Sequence, residues 1–253
     1  MELFYRELGQ GSPLIILHGL FGSSDNWYSL SKIFAEKYKV YVIDQRNHGQ
    51  SPHDAVHDYE ALTDDLNEFI ESHNIKMPII IGHSMGGKTA MNFAIRFPEK
   101  LSKLIIVDIV PKAYPVHHDS ILEGLNAIDL SQLESRGQAD EILGQFVPEP
   151  PVRQFLLKNL ARDKDQNFEW KINIPVLEAH INDMGVALRY EGQFEGPTLF
   201  IVGAKSNYFE AGDEALIKSY FPDAKIATLN TGHWVQAENP KDFMETVFNF
   251  VSK

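Results

Sequence analysis

The run Ile79-Ile80-Ile81-Gly82-His83-Ser84-Met85-Gly86-Gly87-Lys88-Thr89-Ala90 decides how the rest of this chain is read. Three β-branched apolar residues in a row suit a strand buried on both faces. Gly82 to Gly86 then matches G-x-S-x-G, the pattern of a sharp strand-to-helix turn. Such a turn requires glycines, because a side chain at either position would collide with the adjacent strand or helix. The turn would push the Ser84 hydroxyl out above the sheet, and the following helix would aim its free N–H groups at the same point. The motif alone arises by chance in about one chain of this length in ten, so its context has to separate a nucleophile from a bystander serine in a glycine-rich turn.

Outward from this run, the chain alternates strand and helix patterns. Towards the N-terminus, a short strand over 3–8 and the turn Gly9-Gln10-Gly11-Ser12-Pro13 lead into the buried strand Leu14-Ile15-Ile16-Leu17. The chain continues through His18-Gly19-Leu20-Phe21, a helix over about 27–38, the strand Val40-Tyr41-Val42-Ile43 and the loop 44–51. Leu62, Leu66, Phe69 and Ile70 recur at helical spacing within 59–73. Beyond the motif helix come strands at 104–109 and 198–203, a helix over 213–221, a strand over 225–229 and a closing helix over 240–251. Strands alternating with helices imply an α/β fold with a mostly parallel sheet of seven to eight strands, covered on both faces.

Nearly ninety residues separate the strand ending at Asp108 from the one starting at Thr198. They carry amphipathic patterns at 121–128, 133–146 and 152–160, then Phe168-Glu169-Trp170-Lys171-Ile172 and a helix over 175–188. A segment this long with helices of its own reads as a lid over the active edge of the sheet. The expected division is therefore a core of residues 1–110 and 197–253 with a helical lid of residues 111–196.

Composition narrows the chemistry. The 253 residues carry a net charge of -12 and no cysteine. Disulfides, thiol catalysis and thiolate metal sites are excluded. No basic run suited to nucleic acid or an anionic membrane occurs, no apolar run approaches the 18 residues or so of a membrane span, and the N-terminus lacks the features of a signal peptide, which together suggest a cytoplasmic protein. His53-Asp54-Ala55-Val56-His57 imitates a zincin motif, but it follows Pro52 in a loop and no third ligand is evident, so neither a metal nor a cofactor is expected.

Among ten histidines, His233 in Asn230-Thr231-Gly232-His233-Trp234 stands just after the last strand. A neutral imidazole there would take the proton of Ser84 as the hydroxyl attacks a carbonyl and return it to the leaving group. These features together resemble the α/β-hydrolase superfamily along essentially the whole chain: His18-Gly19, Asp44-x-Arg46-x-x-Gly49-x-Ser51, G-x-S-x-G and Gly232-His233, in that order. The wording Asp44-Gln45-Arg46-Asn47-His48-Gly49, with Val107-Asp108-Ile109-Val110-Pro111, is most similar to the small bacterial YbfF-type esterases.

The resemblance implies a serine esterase that acts on a small-molecule acyl ester, or on an acyl thioester such as acyl-CoA, through an acyl-enzyme. It places an oxyanion hole at the backbone N–H groups of Leu20 and Met85 and assigns His18 and Asn47 to holding loops. Asp44 is expected to pair with backbone or with Arg46. For the acid, many relatives use an aspartate shortly after the strand at 198–203, where this chain has Ser206. Asp108 is the alternative favoured by the resemblance, and as a carboxylate ending an apolar strand it would need a dedicated partner. Asp213 reads as a helix N-cap. The expected catalytic set is Ser84, His233 and Asp108, with Trp27, Tyr114, Phe155 and Trp234 as pocket residues and Phe146, Leu156 and Leu157 on apolar lid faces.

A serine in this place disfavours dehalogenases and epoxide hydrolases. A carbon–carbon bond hydrolase or lyase using the same triad remains an alternative, as does a slow ligand receptor on the same scaffold. The sequence carries no indication of oligomeric state.

Overall fold

In the computed structural model, which describes residues 1–252, the chain runs β1 (Tyr5–Leu8), β2 (Ser12–Leu17), α1 (Tyr28–Phe34), β3 (Tyr38–Ile43), α2 (Tyr59–Ser72), β4 (Ile79–His83), α3 (Met85–Arg96) and β5 (Lys103–Val107). It continues with α4 (Asp119–Asn126), α5 (Arg136–Leu143), α6 (Pro150–Leu157), β6 (Leu160–Arg162), β7 (Phe168–Trp170) and α7 (Ile174–Ala179). The last elements are β8 (Thr198–Gly203), α8 (Asp213–Tyr220), β9 (Lys225–Leu229), α9 (Val235–Glu238) and α10 (Pro240–Val251).

Seven strands form one sheet in the order β1-β3-β2-β4-β5-β8-β9. Only β1 is antiparallel to its neighbour. The apolar runs sort by alternation, as period-two side chains must. Ile15, Leu17, Ile80 and Ile106 face one layer with Leu66, Phe69, Met91 and Phe93, whereas Leu14, Ile16, Ile79, Ile81 and Ile105 face the other with Phe34, Phe243 and Val247. Helices α2, α3 and α8 thus cover one side and α1 and α10 the other.

Register brings the chemistry to one edge. Leu17 pairs with Gly82 and His83 with Val107. The ladder runs one residue further, since Ser84 N–H donates to Val107 O (3.1 Å) and Asp108 N–H to Ile201 O (2.9 Å). The carboxyl ends of β2, β4, β5 and β8 therefore finish together, the place where open α/β sheets bind ligands.

Three expectations shift. The first helix stops at Phe34 rather than near residue 38, because Tyr38 already pairs with Ser12 in the sheet. The helix expected over 175–188 is the shorter α7 followed by a 3₁₀ turn, Ile181–Met184. It ends at Gly185, where a Cβ would stand 2.5 Å from the Tyr114 carbonyl oxygen. The insert also contains a small hairpin, β6 with β7. Its apolar residues, among them Leu122, Leu125, Leu143, Leu156, Leu160 and Leu177, gather into a cluster of their own that takes in Phe21 from the core. Among the described residues no helix is long and apolar enough to cross a membrane.

Candidate active site

Ser84 sits between β4 and α3 with φ 52° and ψ −117°, a region closed to most side-chain-bearing residues. The flanking glycines make this possible. A Cβ at Gly82 would stand 2.3 Å from the Gly86 carbonyl oxygen, and one at Gly86 would stand 2.5 Å from the carbonyl oxygens of Leu17 and His18. The serine side chain faces a cavity of about 200 Å³.

The loop after β2 lies directly over this turn. A Cβ at Gly19 would meet Ser84 Cβ at 3.2 Å and His83 Nδ1 at 2.9 Å. Two buried histidines hold that loop. His18 donates from Nδ1 to Gly19 O and accepts the Gln45 N–H at Nε2 (2.9 Å). His48 donates from Nδ1 to Arg46 O and accepts the Phe21 N–H at Nε2 (3.1 Å). Each ring accepts a backbone N–H, so each is neutral, in keeping with burial pushing both pKa values down. The N–H groups of Leu20 and Met85 have no acceptor among the described residues.

Asp44 does not pair with Arg46. Its carboxylate accepts the backbone N–H groups of Ser24 (2.6 Å) and Gln50 (2.9 Å), while Arg46 forms a two-pronged pair with Asp65. Asn47 accepts from Asp54 N and from Asn173 Nδ2, tying its loop to the insert.

At the neighbouring strand end, Asp108 is wholly buried at φ 51°. Three donors converge on its carboxylate. Gly203 N–H reaches Oδ1 (2.7 Å), and Oδ2 receives the Ser206 hydroxyl and His233 Nδ1 (2.7 Å). The position that holds the acid in many relatives thus carries a hydroxyl bonded to Asp108. His233 is held from two further directions: His83 Nε2 donates to its carbonyl (2.9 Å), and Tyr208 stacks on its ring at 4.2 Å and 21°. Burial keeps His83 neutral, with its pKa pushed down to about 3. His233 and Ser84 line the same cavity. No hydrogen bond joins their side chains among the described residues, and such bonds are often long before substrate binds and tighten in the complex.

The cavity is walled by Leu20, Met85, Tyr114, Phe155, Leu156 and Trp234, together with Tyr59, His118 and Met184. Trp27 is a correction. It is buried in the sheet-and-helix core, edge-on to Phe243, and borders a second cavity instead. Phe146 and Leu157 pack into the insert's own cluster. Asp213 is the first residue of α8 rather than its cap, and its carboxylate holds Glu210 N–H and Lys112 (both 2.8 Å). His57 is buried against His48, and no set of potential ligands is placed to hold a metal among the described residues.

Sequence patterns missed Tyr208 and Lys88. Tyr208 lies in an irregular loop, anchored where Tyr114 Oη donates to its carbonyl (2.7 Å). Lys88 points inward from α3, fully buried, with Nζ bonded to the Val186 carbonyl and over the rings of Tyr114 (5.0 Å) and Tyr59 (5.7 Å). Without a carboxylate partner, desolvation pushes its pKa down to about 7. Its position one turn beyond Ser84 was the available signal, although a lysine on a helix reads as a solvated one.

Known proteins place the chain. A sequence profile described as alpha/beta hydrolase fold matches residues 12–139. The sn-1-specific diacylglycerol lipase ABHD11 of Danio rerio is 36% identical, covering 96% of this chain and 79% of its own length. Esterase YbfF of Escherichia coli (strain K12) is 34% identical, covering 95% and 93%. A solved structure titled "Marine microorganism esterase" superposes with a TM-score of 0.96 at 42% identity, covering 98% of this chain and 99% of that one. With a family match over half its residues and esterase and lipase relatives over nearly all of them, this chain belongs to the α/β-hydrolase family, as a carboxylic ester hydrolase.

Proposed function

We propose that the chain is a serine esterase in which Ser84 is the nucleophile, His233 the general base and acid, and Asp108 the residue that orients His233. The observation that carries this reading is the meeting, at one sheet edge, of a serine held at φ 52° with an imidazole whose Nδ1 is bonded to a buried carboxylate. With Nδ1–H committed to Asp108, Nε2 is left as the basic nitrogen.

The proton of Ser84 passes to Nε2 as Oγ bonds to the substrate carbonyl carbon. The carbonyl π electrons move onto oxygen, where the N–H groups of Leu20 and Met85 are the donors we assign to the oxyanion. Such donors typically contribute about 3 kcal/mol each at the transition state. The intermediate collapses to an acyl-serine, and the departing alcohol takes the proton from Nε2. Water repeats the two steps to release the acid and restore Ser84. An acyl thioester follows the same course with a thiol as leaving group.

Residues 111–196 serve in this reading as the cap of the site, since Tyr114, Val152, Phe155, Leu156 and Met184 close the cavity from above. Its volume of about 200 Å³ falls below the ~300–1,000 Å³ of drug-sized ligand sites and suits a short acyl group.

The test is turnover of p-nitrophenyl butyrate with intact-mass and peptide analysis after phosphonate treatment. Ser84→Ala should lower kcat by about a million-fold and abolish labelling of the peptide containing Ser84. Wild-type enzyme that stalls after one acylation would point to a receptor, and label on another residue would refute the assignment.

A further inference from the structure

Lys88 is a buried cation that the proposed chemistry leaves unused. It stands one turn after Ser84 on α3, and its backbone N–H donates to the Ser84 carbonyl (3.0 Å), so nucleophile and lysine belong to one rigid turn. From there the side chain crosses to the far end of the insert, where Nζ donates to the carbonyl of Val186 and, at 3.5 Å, to that of Gly185. Its counterparts are these oxygens and the faces of Tyr59 and Tyr114 rather than a carboxylate. A methionine would fill the same space without the cost of burying an ammonium, so stability is no reason for a lysine at this place.

The two carbonyls lie where the insert turns back towards the core. Met184 and Gly185 line the catalytic cavity, and Met184 packs with Met85 and Tyr59. Gly185 O also accepts the Tyr114 N–H (2.7 Å), and the Tyr59 hydroxyl donates to Met184 O (3.0 Å). Tyr114, itself a cavity residue, thereby shares the anchorage. Val186 is 43% exposed, so burial of its own side chain does little to hold the segment, and bonds from inside to its backbone have to do so. One turn further along α3, Asn92 Oδ1 accepts the Arg189 N–H (2.7 Å) in the same manner.

We propose that Lys88 is a positioning residue for ester hydrolysis: by pinning the backbone at Gly185 and Val186 to α3, it sets how far the wall formed by Met184 and Tyr114 stands from Ser84, and so which acyl groups the cavity holds. The inference rests on Ser84 being the nucleophile, because the wall matters only as measured from that serine. Lys88 touches no substrate. It acts through the carbonyls it holds, and a protein that keeps an ammonium there gives up stability for a fixed cavity.

The experiment compares p-nitrophenyl butyrate, whose acyl chain reaches the wall, with p-nitrophenyl acetate, whose acyl group stops short of it. Lys88→Met keeps the length of the side chain and removes the ammonium. It should lower kcat/KM on the butyrate about ten- to a hundredfold, the scale of the charge-assisted bonds lost, and mostly through KM, while the acetate changes by no more than about threefold. Urea unfolding reports the fold separately. Lys88→Cys is the second variant. The chain has no other cysteine, so alkylation with 2-bromoethylamine in urea, followed by refolding, restores an ammonium at this one place. That treatment should recover the butyrate-to-acetate ratio of wild type taken through the same cycle. An unchanged ratio in the folded variants, or a loss that aminoethylation leaves in place, overturns the assignment. Absence of turnover of both esters by wild type would instead overturn the esterase reading beneath it.

Discussion

Replacing Asp108 by asparagine tests the proposed orientation of His233 almost without changing shape. The structure dictates which way the new amide must face. Gly203 N–H donates to Oδ1 at 2.7 Å, so the amide oxygen has to stay there and the NH₂ takes the place of Oδ2. That NH₂ then confronts the Ser206 hydroxyl, which can rotate to accept, and His233 Nδ1, which can accept only by giving up its proton. The imidazole would then carry its proton on Nε2 and face Ser84 as a donor instead of a base. The opposite amide orientation points NH₂ at the Gly203 N–H and leaves buried donors unpaired, at about 1–3 kcal/mol. Populating the working tautomer therefore costs about 10- to 100-fold. Losing the charge-assisted bond to the imidazolium that forms in the transition state, about 1.5–3 kcal/mol, costs a similar factor again. The expected loss in kcat is about 10²- to 10⁴-fold, its upper end matching the effect of this change in triad proteases. Steady-state hydrolysis of p-nitrophenyl butyrate measures it, with circular dichroism to show that the variant is folded. Asp213→Asn, which disturbs Lys112 and Glu210 instead, should remain within about threefold of wild type. Activity of a folded Asp108→Asn variant within tenfold of wild type would refute the reasoning and reopen the search for the acid.

Lys88→Met should stabilise the protein at pH 6, by about 1–3 kcal/mol in urea unfolding, because it removes a buried ammonium without a carboxylate partner. The lysine's folded pKa of about 7 lies below its ordinary 10.5, so the unfolded wild type binds the extra proton and wild-type stability rises between those values; the variant's advantage should shrink by pH 9.5, and a gain independent of pH would count against the assignment. His57 and His83, both pushed down to about 3 by burial, stay neutral in the fold while the unfolded chain takes up protons below about pH 6.5. Each should therefore remove about 1.4 kcal/mol of stability per pH unit on acidification, about 4 kcal/mol for the pair by pH 5, and unfolding free energies that match at pH 7 and pH 5 would refute it.

Residue order alone dictates the strands of the main sheet and the turn that carries Ser84, because both depend on residues adjacent in the chain. Ile79 to Ile81 suit a buried strand, and the elbow admits nothing larger than glycine at Gly82 and Gly86, where an added Cβ would stand 2.3 and 2.5 Å from backbone oxygens. The same holds for the α/β class, which follows from the order of apolar runs, and for α10, whose Pro240 and Val251 mark its ends. Contacts between distant segments were a different matter. Trp27, expected in the pocket, packs edge-on against Phe243 in the core and borders the neighbouring cavity rather than the one that holds Ser84. Tyr208 carries no motif and reaches His233 only because its loop is drawn in by Tyr114, ninety-four residues earlier. For the acid the sequence offered the resemblance, which favoured Asp108, and an argument from the cost of burying its carboxylate. It is the parallel pairing of β5 with β8 that sets Asp108 against Ser206 and joins Asp108 to His233. The burial of Lys88 was likewise hidden, since burial of a polar side chain is a property of what packs around it. Local backbone demands are written in neighbouring residues, whereas the partners of a side chain are chosen by segments that meet only when the sheet has formed.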